Sequence, residues 1–368
     1  MTRPTDRPEL EAVPCPVCGS TNMRRVLQAG DDLCGVPGVY DICRCRDCGH
    51  RFLNPRPTRA TLSRCYPEHY GPHQSVPVTA GREVAPGREV AARHEVAAET
   101  SSTPWYLRFL PLRRIPGLKA LYYRLTDDRG QPLPAKPEDA NTGDEPAAFE
   151  LGCATGAYLA RLAAAGWTVE GVEPAAAAAE TARQSGLNVR TGVLDDISPP
   201  AASFDCAAAW MVLEHVYDPE TTLRQLHQLL KPGGQLLISV PNAGCWEPLV
   251  FRSTWYVWEP PRHLHHFTPS SLRRVLYAAG FTDICIIHQR NILNIIGSLG
   301  ILLTRLPGTR GLGRRLINYP NAPRMLVQLA LSPFAHLLAW IHQGGRLTIL
   351  ARRPPESASA DHNKAAQF

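Results

Sequence analysis

Apolar runs of four to eight residues alternate with amphipathic segments between positions 147 and 289. The runs predict strands at 147–151, 168–172, 188–191, 204–210, 235–240 and 281–288. The amphipathic segments predict helices at 156–165, 175–185, 219–230 and 270–279. Strands that alternate with helices predict a parallel, doubly wound α/β sheet, which binds its ligands at the carboxyl ends of the strands.

The residues before this core follow a different pattern. Residues 12–70 are rich in cysteine and hold short apolar runs, which predict a small unit of strands. Residues 71–146 read as a linker, because they contain a degenerate GREVA repeat and many prolines and acidic residues. Within this linker, residues 104–125 form a basic, aromatic, amphipathic segment.

Composition limits the classes of protein to consider. The chain has 368 residues, of which 44% are hydrophobic and 20% charged, so it can bury a sizeable core and is not disordered as a whole. A formal net charge of +6 is too small for a protein that coats nucleic acid over its whole surface. The charge is unevenly spread: positions 144–220 hold twelve acidic and three basic residues, whereas positions 284–355 hold nine arginines and no acidic residue.

Two Cys-x-x-Cys pairs in the first 50 residues, each followed by a glycine, predict a structural zinc site. The predicted ligands are Cys15, Cys18, Cys45 and Cys48. Cys43 is an alternative to Cys45, and His50 is an alternative to Cys48. Two disulfides are the other interpretation, but the N-terminus shows no apolar secretory segment, so we expect reduced thiols.

The first core strand runs into Glu150-Leu-Gly-Cys-Ala-Thr-Gly156, a turn whose glycines allow a ligand to approach the backbone closely. The spacing is not that of the dinucleotide motif, and Glu150 would repel a pyrophosphate but suits an ammonium group. Glu173, at the end of the second strand, can accept both ribose hydroxyl hydrogens. Asp195 or Asp196, after the third strand, can hold an adenine amino group. An amine, a ribose and an adenine without a pyrophosphate describe S-adenosylmethionine.

Six motifs in a fixed order resemble those of class I S-adenosylmethionine-dependent methyltransferases over residues 147–289: FELGCATG, GVEP, GVLDD, SFDCAAAWMVLEHVYDP, LLKPGGQLLISVPN and HLHHFTPSSLRRVLYAAGF. The resemblance implies a Rossmann-like sheet of seven strands in the order 3-2-1-4-5-7-6, with an antiparallel last strand at 346–353. The zinc-ribbon-like unit ahead of the core is similar to that of sugar C-methyltransferases of deoxysugar biosynthesis. The full predicted cofactor set is Glu150, Gly152, Cys153, Ala154, Gly156, Glu173, Pro174, Asp195, Asp196 and Trp210.

Methyl transfer requires alignment of the acceptor with the methyl group and, for a hydroxyl or carbon acceptor, removal of a proton. Candidate residues for this step are Glu214 and His215 after the fourth strand, and His263, His265 and His266 before the last core helix. We expect His265 or His266 to be the base, because a histidine with a pKa of about 6.5 accepts protons at neutral pH. Capping, surface or orienting roles are the alternative for each histidine. A metal site on the histidine trio is disfavoured, because the sequence shows no acid beside it.

Residues 290–345 form an apolar, arginine-containing insertion before the last strand. Its window 325–345 has no charged residue and is long enough to cross a bilayer at about 1.5 Å per residue, but a span would separate the last strand from its sheet. We therefore expect a helical hairpin that caps the substrate site, with peripheral membrane contact as an alternative. Residues 354–368 are expected to be a disordered tail.

These features together predict a cytoplasmic methyltransferase, with membrane association left open. The predicted acceptor is a small molecule, such as a sugar or a polysaccharide or lipid precursor, anionic or lipid-linked, methylated at oxygen or carbon. One alternative is an RNA or protein methyltransferase that grips its substrate with the zinc unit, although nucleic acid is disfavoured because the fourth strand lacks the motif that holds a planar nitrogen. The other alternative is a non-catalytic scaffold that binds zinc and the cofactor.

Overall fold

The computed structural model describes residues 7–66, 70, 131–137, 145–197, 199–321 and 323–355. The repeat at 71–103, the basic segment 104–125 and nearly all of the predicted tail lie outside the described residues. The N-terminal unit, residues 7–66, is built from short strands, as its apolar runs predict. The strands are β1 (Leu10–Glu11), β2 (Met23–Ala29), β3 (Tyr40–Cys45), β4 (Arg51–Leu53) and β5 (Arg56–Pro57), and a 3-10 helix spans Arg59–Cys65.

The core is a sheet of seven strands with helices on both faces. Its strands are β6 (Ala147–Leu151), β7 (Thr168–Glu173), β8 (Asn188–Thr191), β9 (Phe204–Trp210), β10 (Leu230–Pro241), β12 (Thr282–His288) and β13 (Arg346–Arg352). Its helices are α1 (Ala157–Ala164), α2 (Ala176–Gln184), α3 (Pro219–Leu229), α4 (Glu247–Phe251) and α5 (Pro269–Ala278). Side chains of α1 and α2 pack on one face, and those of α3 and α5 pack on the other.

The order of the core strands is β12-β13-β10-β9-β6-β7-β8. Numbered along the core alone, this is 3-2-1-4-5-7-6, and β13 runs antiparallel to both of its neighbours, so the predicted sheet is confirmed. The carboxyl ends of β9, β6, β7 and β8 lie side by side, because these strands are parallel neighbours. The loops that follow these four strands therefore share one edge of the sheet.

The core also donates a strand to the N-terminal unit. β11 (His265–His266) pairs with β4, and a second sheet runs in the order β11-β4-β3-β2. This small sheet, β2, β3, β4 and β11, ties the cysteine-rich unit directly to the histidine segment. The two units are therefore joined by main-chain hydrogen bonds as well as by side-chain packing.

Two parts of the chain differ from the sequence-based expectation. Residues 131–137 were predicted to be linker, but the Tyr158 hydroxyl donates to the Pro132 carbonyl (2.7 Å) and Gln235 donates to the Ala135 carbonyl (2.7 Å), so this segment packs on the core. The insertion contains three helices rather than a hairpin of two. They are α6 (Leu293–Thr304), α7 (Arg310–Asn318) and α8 (Met325–Trp340).

Helices α6 and α7 cross at two glycines, where the backbones approach closely. A Cβ atom on Gly313 would lie 2.7 Å from the Gly300 carbonyl oxygen, so a larger residue at the crossing would force the helices apart. Within the described part of the chain, none of the helices combines the length and the apolar character required to span a bilayer.

Candidate active site and metal centre

The loop between β6 and α1 has a backbone that only small residues accept. Gly152, Ala154 and Gly156 all have positive φ angles, of 70°, 47° and 81°. A Cβ atom on Gly152 would lie 2.6 Å from Cγ2 of Val212, which follows β9. The Cys153 sulfur packs toward Gly171 on β7, so Cys153 presents only its backbone to the loop. The loop therefore offers a cradle of backbone atoms at the edge of the sheet.

Glu173 fastens this loop to the end of β7. Its Oε2 accepts a hydrogen bond from the amide of Ala154 (2.9 Å), and its Oε1 accepts one from the amide of Ala175 (2.8 Å). The residue is only 4% exposed, and burial raises the pKa of its carboxyl. Pro174, next in the chain, is exposed. Each Glu173 oxygen keeps one further lone pair for a hydroxyl donor.

The other two predicted carboxylate positions differ in exposure. Glu150 is buried at the end of β6, beside the glycine loop. The Asp195 side chain is 51% exposed, accepts a hydrogen bond from Gln225 (2.9 Å), and lies 3.5 Å from Arg59 of the N-terminal unit. Asp196 closes its own turn instead, because its Oδ2 accepts from the Val193 amide (3.1 Å). Both aspartates are exposed, but Asp196 uses one carboxylate oxygen inside its own turn, whereas Asp195 does not.

Trp210 ends β9 and packs against α1. Its ring packs edge-to-face on Tyr158, with 5.0 Å between the ring centres. Its Nε1 atom is buried and has no hydrogen-bond partner among the described residues. The predicted cofactor residues thus lie along one edge of the sheet, on four neighbouring strands.

A cluster of one carboxyl group and two imidazoles, the Glu214 cluster (Glu214, His215 and His263), follows β9. One ligand atom from each residue lies within 4.8 Å of the other two. Glu214 is completely buried, neither carboxyl oxygen has a partner among the described residues, and burial raises its pKa to about 8. Burial, together with the neighbouring His263, lowers the pKa of His215 to about 3. Both groups are therefore mainly uncharged at neutral pH.

The hydrogen bonds of His215 fix which of its nitrogens carries the proton. Its Nδ1 lies 3.1 Å from the Arg262 carbonyl oxygen and 3.1 Å from the Tyr66 hydroxyl. A carbonyl oxygen only accepts, so Nδ1 is the protonated atom in this arrangement. The lone pair of the neutral ring is then on Nε2. His215 can therefore take up a second proton at Nε2.

Beside the Glu214 cluster, Arg262 is fully buried and joins the two units. It donates to both carboxylate oxygens of Asp31 (2.8 Å each), to Glu259 (3.0 Å) and to the Cys65 carbonyl oxygen (3.1 Å). Burial would raise the pKa of Glu259, but His263 and Arg262 outweigh it and lower that pKa to about 2. Glu259 therefore supplies a permanent negative charge next to the two imidazoles.

The prediction that no acid lies beside the histidine trio His263, His265 and His266 is wrong. Glu259 Oε2 lies 3.5 Å from Nε2 of His263, and Glu214 lies in the same cluster. Carboxylate and imidazole groups at this spacing are also ligands that a divalent cation accepts. Glu214, a predicted candidate, reaches the histidines from the turn after β9, whereas Glu259 lies only four residues before His263 and was not predicted.

His265 and His266, the two favoured candidate bases, are buried in the small sheet. Nε2 of His265 lies 2.8 Å from the Val216 carbonyl and its Nδ1 lies 3.3 Å from Nε2 of His50, so both nitrogens are engaged. Burial lowers the pKa of His265 to about 4. His266 packs edge-to-face on Trp258, and burial lowers its pKa well below the usual value. The structure thus brings His215 and His263 together with Glu214 but places His265 and His266 in the interface between the units.

Sequence reasoning did not place five residues in this region: Asp31, Tyr66, Glu259, Arg262 and His50, the last of which was considered only as a zinc ligand. Three of them, Asp31, His50 and Tyr66, belong to the N-terminal unit, whose contact with the active site has no signal in the sequence. A buried aspartate or tyrosine carries no local signal in the sequence, since its partner lies far along the chain. The positions became evident only from the docking of the two units.

The four predicted zinc ligands converge. Cys15 and Cys48 have sulfurs 3.5 Å apart, those of Cys18 and Cys45 are 3.6 Å apart, and all four lie within 4.8 Å of one another. Tetrahedral zinc with Zn–S bonds of about 2.3 Å requires sulfurs about 3.8 Å apart.

The alternative ligands are excluded by their other contacts. The Cys43 thiol donates to the Asn54 carbonyl (3.4 Å), and His50 faces His265. The geometry therefore selects the two Cys-x-x-Cys pairs as the donor set.

Comparison with known proteins bears on the core of the chain. Residues 130–286 match the model of a family described as a methyltransferase domain. A ubiquinone biosynthesis O-methyltransferase of Maricaulis maris is 30% identical over 147 residues, which is 36% of this chain and 58% of that protein. A protein of Mycolicibacterium smegmatis, named a probable S-adenosylmethionine-dependent methyltransferase, is 30% identical over 135 residues, 36% of this chain and 51% of that protein.

The chain therefore spans little more than half the length of these curated relatives. Among solved structures, an S-adenosylmethionine-dependent methyltransferase of Thermotoga maritima aligns with a TM-score of 0.39 and 17% identity, over 66% of this chain and 98% of that one. The family match begins before β6, at the segment 131–137 that packs on the core. Residues 130–286 of this chain are therefore similar in sequence to a methyltransferase domain, and the core has the strand order that the resemblance predicts.

Proposed function

We propose that this protein transfers a methyl group from S-adenosylmethionine to a small-molecule acceptor. The observation that carries the proposal is the row of groups at the ends of four neighbouring strands: Glu150 and its glycine loop, Glu173, Asp195, and the Glu214 cluster. The first three suit an amine, a ribose and an adenine, and the fourth lies where an acceptor would meet the reactive end of the ligand. A dinucleotide would place a pyrophosphate against Glu150, which is unfavourable.

The residues present fit this cofactor. The backbone of residues 152–156 would hold its amino-acid part close to the Glu150 carboxyl, and the free lone pairs of Glu173 would accept the ribose hydroxyls. Asp195 would accept from the adenine amino group, since Asp196 uses a carboxylate oxygen to close its own turn. When bound, S-adenosylmethionine supplies an electrophilic methyl group on a positively charged sulfur. The chain supplies orientation and a proton acceptor.

His215 is the proton acceptor that the geometry favours. Its Nδ1 proton is held by the Arg262 carbonyl, so Nε2 is left to take the proton of an acceptor hydroxyl or carbon acid. Burial keeps the pKa of His215 at about 3 although Glu259 raises its proton affinity, so the ring would take the proton only as methyl transfer makes the acceptor positively charged and strongly acidic. Glu259, which His263 and Arg262 keep ionised, would offset the new positive charge on the ring. Tyr66, 3.1 Å from Nδ1, fixes the ring from the side of the N-terminal unit. General-base catalysis of this kind contributes about 10²- to 10⁴-fold in rate.

Two observations support a class of acceptor. The relatives from Maricaulis maris and other bacteria are named for O-methylation, which supports a hydroxyl acceptor. The arginines of the insertion, which has no acidic residue, support an acceptor that carries negative charge, such as an activated sugar or a lipid precursor. The Cys15–Cys48 set would hold a structural zinc that stabilises the N-terminal unit and, through β4, the histidine segment.

The experiment is methyl transfer from labelled S-adenosylmethionine to a metabolite extract, followed by mass spectrometry of the labelled product. Once the product is known, kcat and the affinity for S-adenosylmethionine are measured for wild type, His215→Asn and His227→Asn. We expect His215→Asn to lower kcat by about 10²- to 10⁴-fold with unchanged cofactor affinity. His227 lies on α3 against Phe281, away from the cluster, and serves as the matched control. Equal kcat for His215→Asn and wild type would exclude His215 as the base, and no labelled product would exclude the activity.

A further inference from the structure

Helix α8 presents an apolar face to solvent. It is 16 residues long, and its outward positions recur every three or four residues along one side. These exposed positions are Leu326, Ala330, Pro333, Phe334, Leu337 and Trp340. Leu326 is 59% exposed and Trp340 is 78% exposed. A helix of a globular protein carries polar residues on its outer face, so this apolar stripe requires a partner.

The inner face of α8 is already occupied. Ala335 and Leu338 pack with Ile292 and with Trp246 of the core, which fixes the helix to the body of the protein. Rotating the helix would therefore expose these inner residues, so the outward stripe is not a displaced core face. Neighbouring α6 adds exposed Leu299 and Leu302 to the apolar surface of the insertion.

The charged residues of the insertion itself are all arginines. Arg310, Arg314 and Arg315 are exposed on α7 and form no ion pair with any described residue, and Arg324 is exposed immediately before α8. No acidic residue occurs anywhere between 284 and 355. A second copy of this chain, or its own basic segment 104–125, would bring like charge to the same surface. An anionic lipid bilayer offers negatively charged headgroups to the arginines and an acyl-chain boundary to the apolar face.

We propose that α6, α7 and α8 form a surface that docks on an anionic membrane, with the apolar face of α8 inserted at the headgroup boundary. At 1.5 Å per residue α8 is about 24 Å long, shorter than the hydrocarbon core of about 30 Å, so it lies along the surface instead of crossing it. The docking does not depend on the methyl-transfer proposal, and its test needs no acceptor.

The test is co-sedimentation of the full chain with vesicles of phosphatidylglycerol and phosphatidylcholine, compared with vesicles of phosphatidylcholine alone. We expect binding to the mixed vesicles that weakens in high salt. Arg310→Ser/Arg314→Ser/Arg315→Ser should weaken it on the order of 100-fold, since each basic residue near such a surface contributes roughly fivefold. Leu326→Ser/Trp340→Ser should weaken it by about tenfold or more, because two exposed apolar side chains no longer insert.

Matched controls lie on α5, outside the insertion, where Arg273, Arg274 and Tyr277 are exposed. Arg273→Ser/Arg274→Ser and Tyr277→Ser should bind vesicles as wild type does. A second readout uses lipids with brominated acyl chains. They should quench tryptophan fluorescence in wild type, and Trp340→Phe should remove most of that quenching, whatever the effect of the substitution on affinity.

Several outcomes would overturn the proposal. One is equal binding to neutral and anionic vesicles, and another is unchanged binding by both insertion variants. A third is a wild-type dimer in sedimentation velocity that Leu326→Ser/Trp340→Ser converts to a monomer while vesicle binding is unchanged. That result would assign the apolar face to a second copy of the chain.

Discussion

The buried ion pair between Arg262 and Asp31 is predicted to hold the two units together. Both side chains are 0% exposed, and the two hydrogen bonds between them are 2.8 Å long. Arg262 also neutralises Glu259, so Arg262→Met leaves two buried carboxylates without their shared cation. Removing one partner of a buried pair costs about 3–5 kcal/mol. We expect Arg262→Met to lie at the upper end of that range, at about 5 kcal/mol.

Asp31→Asn tests the same reasoning from the other side. Arg262 then keeps Glu259 as its counter-ion, so the net charge left buried is smaller, and the cost should fall to about 3 kcal/mol. Asp41→Asn is the matched control in the same unit, because its pair with Arg25 is solvent-exposed and 3.7 Å apart. An exposed pair contributes about 0–1 kcal/mol.

The assay is urea unfolding of the three variants and wild type, followed by tryptophan fluorescence from Trp255 and Trp258, which lie in the shared core. The predicted order of destabilisation is Arg262→Met, then Asp31→Asn, then Asp41→Asn. The reasoning would be refuted if Arg262→Met unfolded within about 1 kcal/mol of wild type, or if Asp41→Asn cost as much as Asp31→Asn.

Three further changes have defined outcomes. Burial raises the pKa of Glu214 to about 8, above its unfolded value near 4.5, so the native state should lose about 1.4 kcal/mol of stability per pH unit as pH rises from 4.5 to 8. Glu214→Gln should remove this loss, and melting curves taken across the range measure it. Gly152→Ala should lower stability in melting curves and S-adenosylmethionine affinity in calorimetry, because the new Cβ atom meets Val212. The control Gly186→Ala has a φ of 81° and open space around it, so it should cost only backbone strain of about 1–2 kcal/mol. Purified wild type should hold one zinc per chain by atomic absorption, Cys45→Ser should lose it and Cys43→Ser should keep it, and equal zinc in both variants would contradict the ligand assignment.

The core could be predicted because its signals are local. Buried parallel strands appear as short apolar runs, and the helices between them end at glycines that accept positive φ angles, such as Gly166 and Gly186. The last strand was expected at 346–353 and is observed at Arg346–Arg352, after an insertion of more than 50 residues, because its apolar run is distinct from the helices before it. The paired Cys-x-x-Cys turns are equally local, and the four sulfurs meet as their spacing predicts.

The docking of the N-terminal unit could not be predicted, because its contacts join residues that are far apart in sequence. Arg262 and Asp31 are separated by 231 positions, and His265 pairs with Phe52 through a two-residue strand too short to give a periodic signal. The residue type of His265 alone suggests a base, whereas its hydrogen bonds place it in a packed interface. The same limit applies to α8, since a helix that is apolar on both faces does not indicate which face is exposed.

The central claim is that carboxylates at neighbouring strand ends hold an adenosyl sulfonium ligand, and isothermal calorimetry with S-adenosylmethionine tests it directly. Wild type should bind with a measurable heat. Glu173→Gln should raise the dissociation constant by about 10- to 100-fold, because hydrogen bonds to a charged group are lost. Asp195→Asn should raise it less, since this carboxylate is half exposed. Absence of binding by folded wild type, or an unchanged dissociation constant for folded Glu173→Gln, would contradict the account.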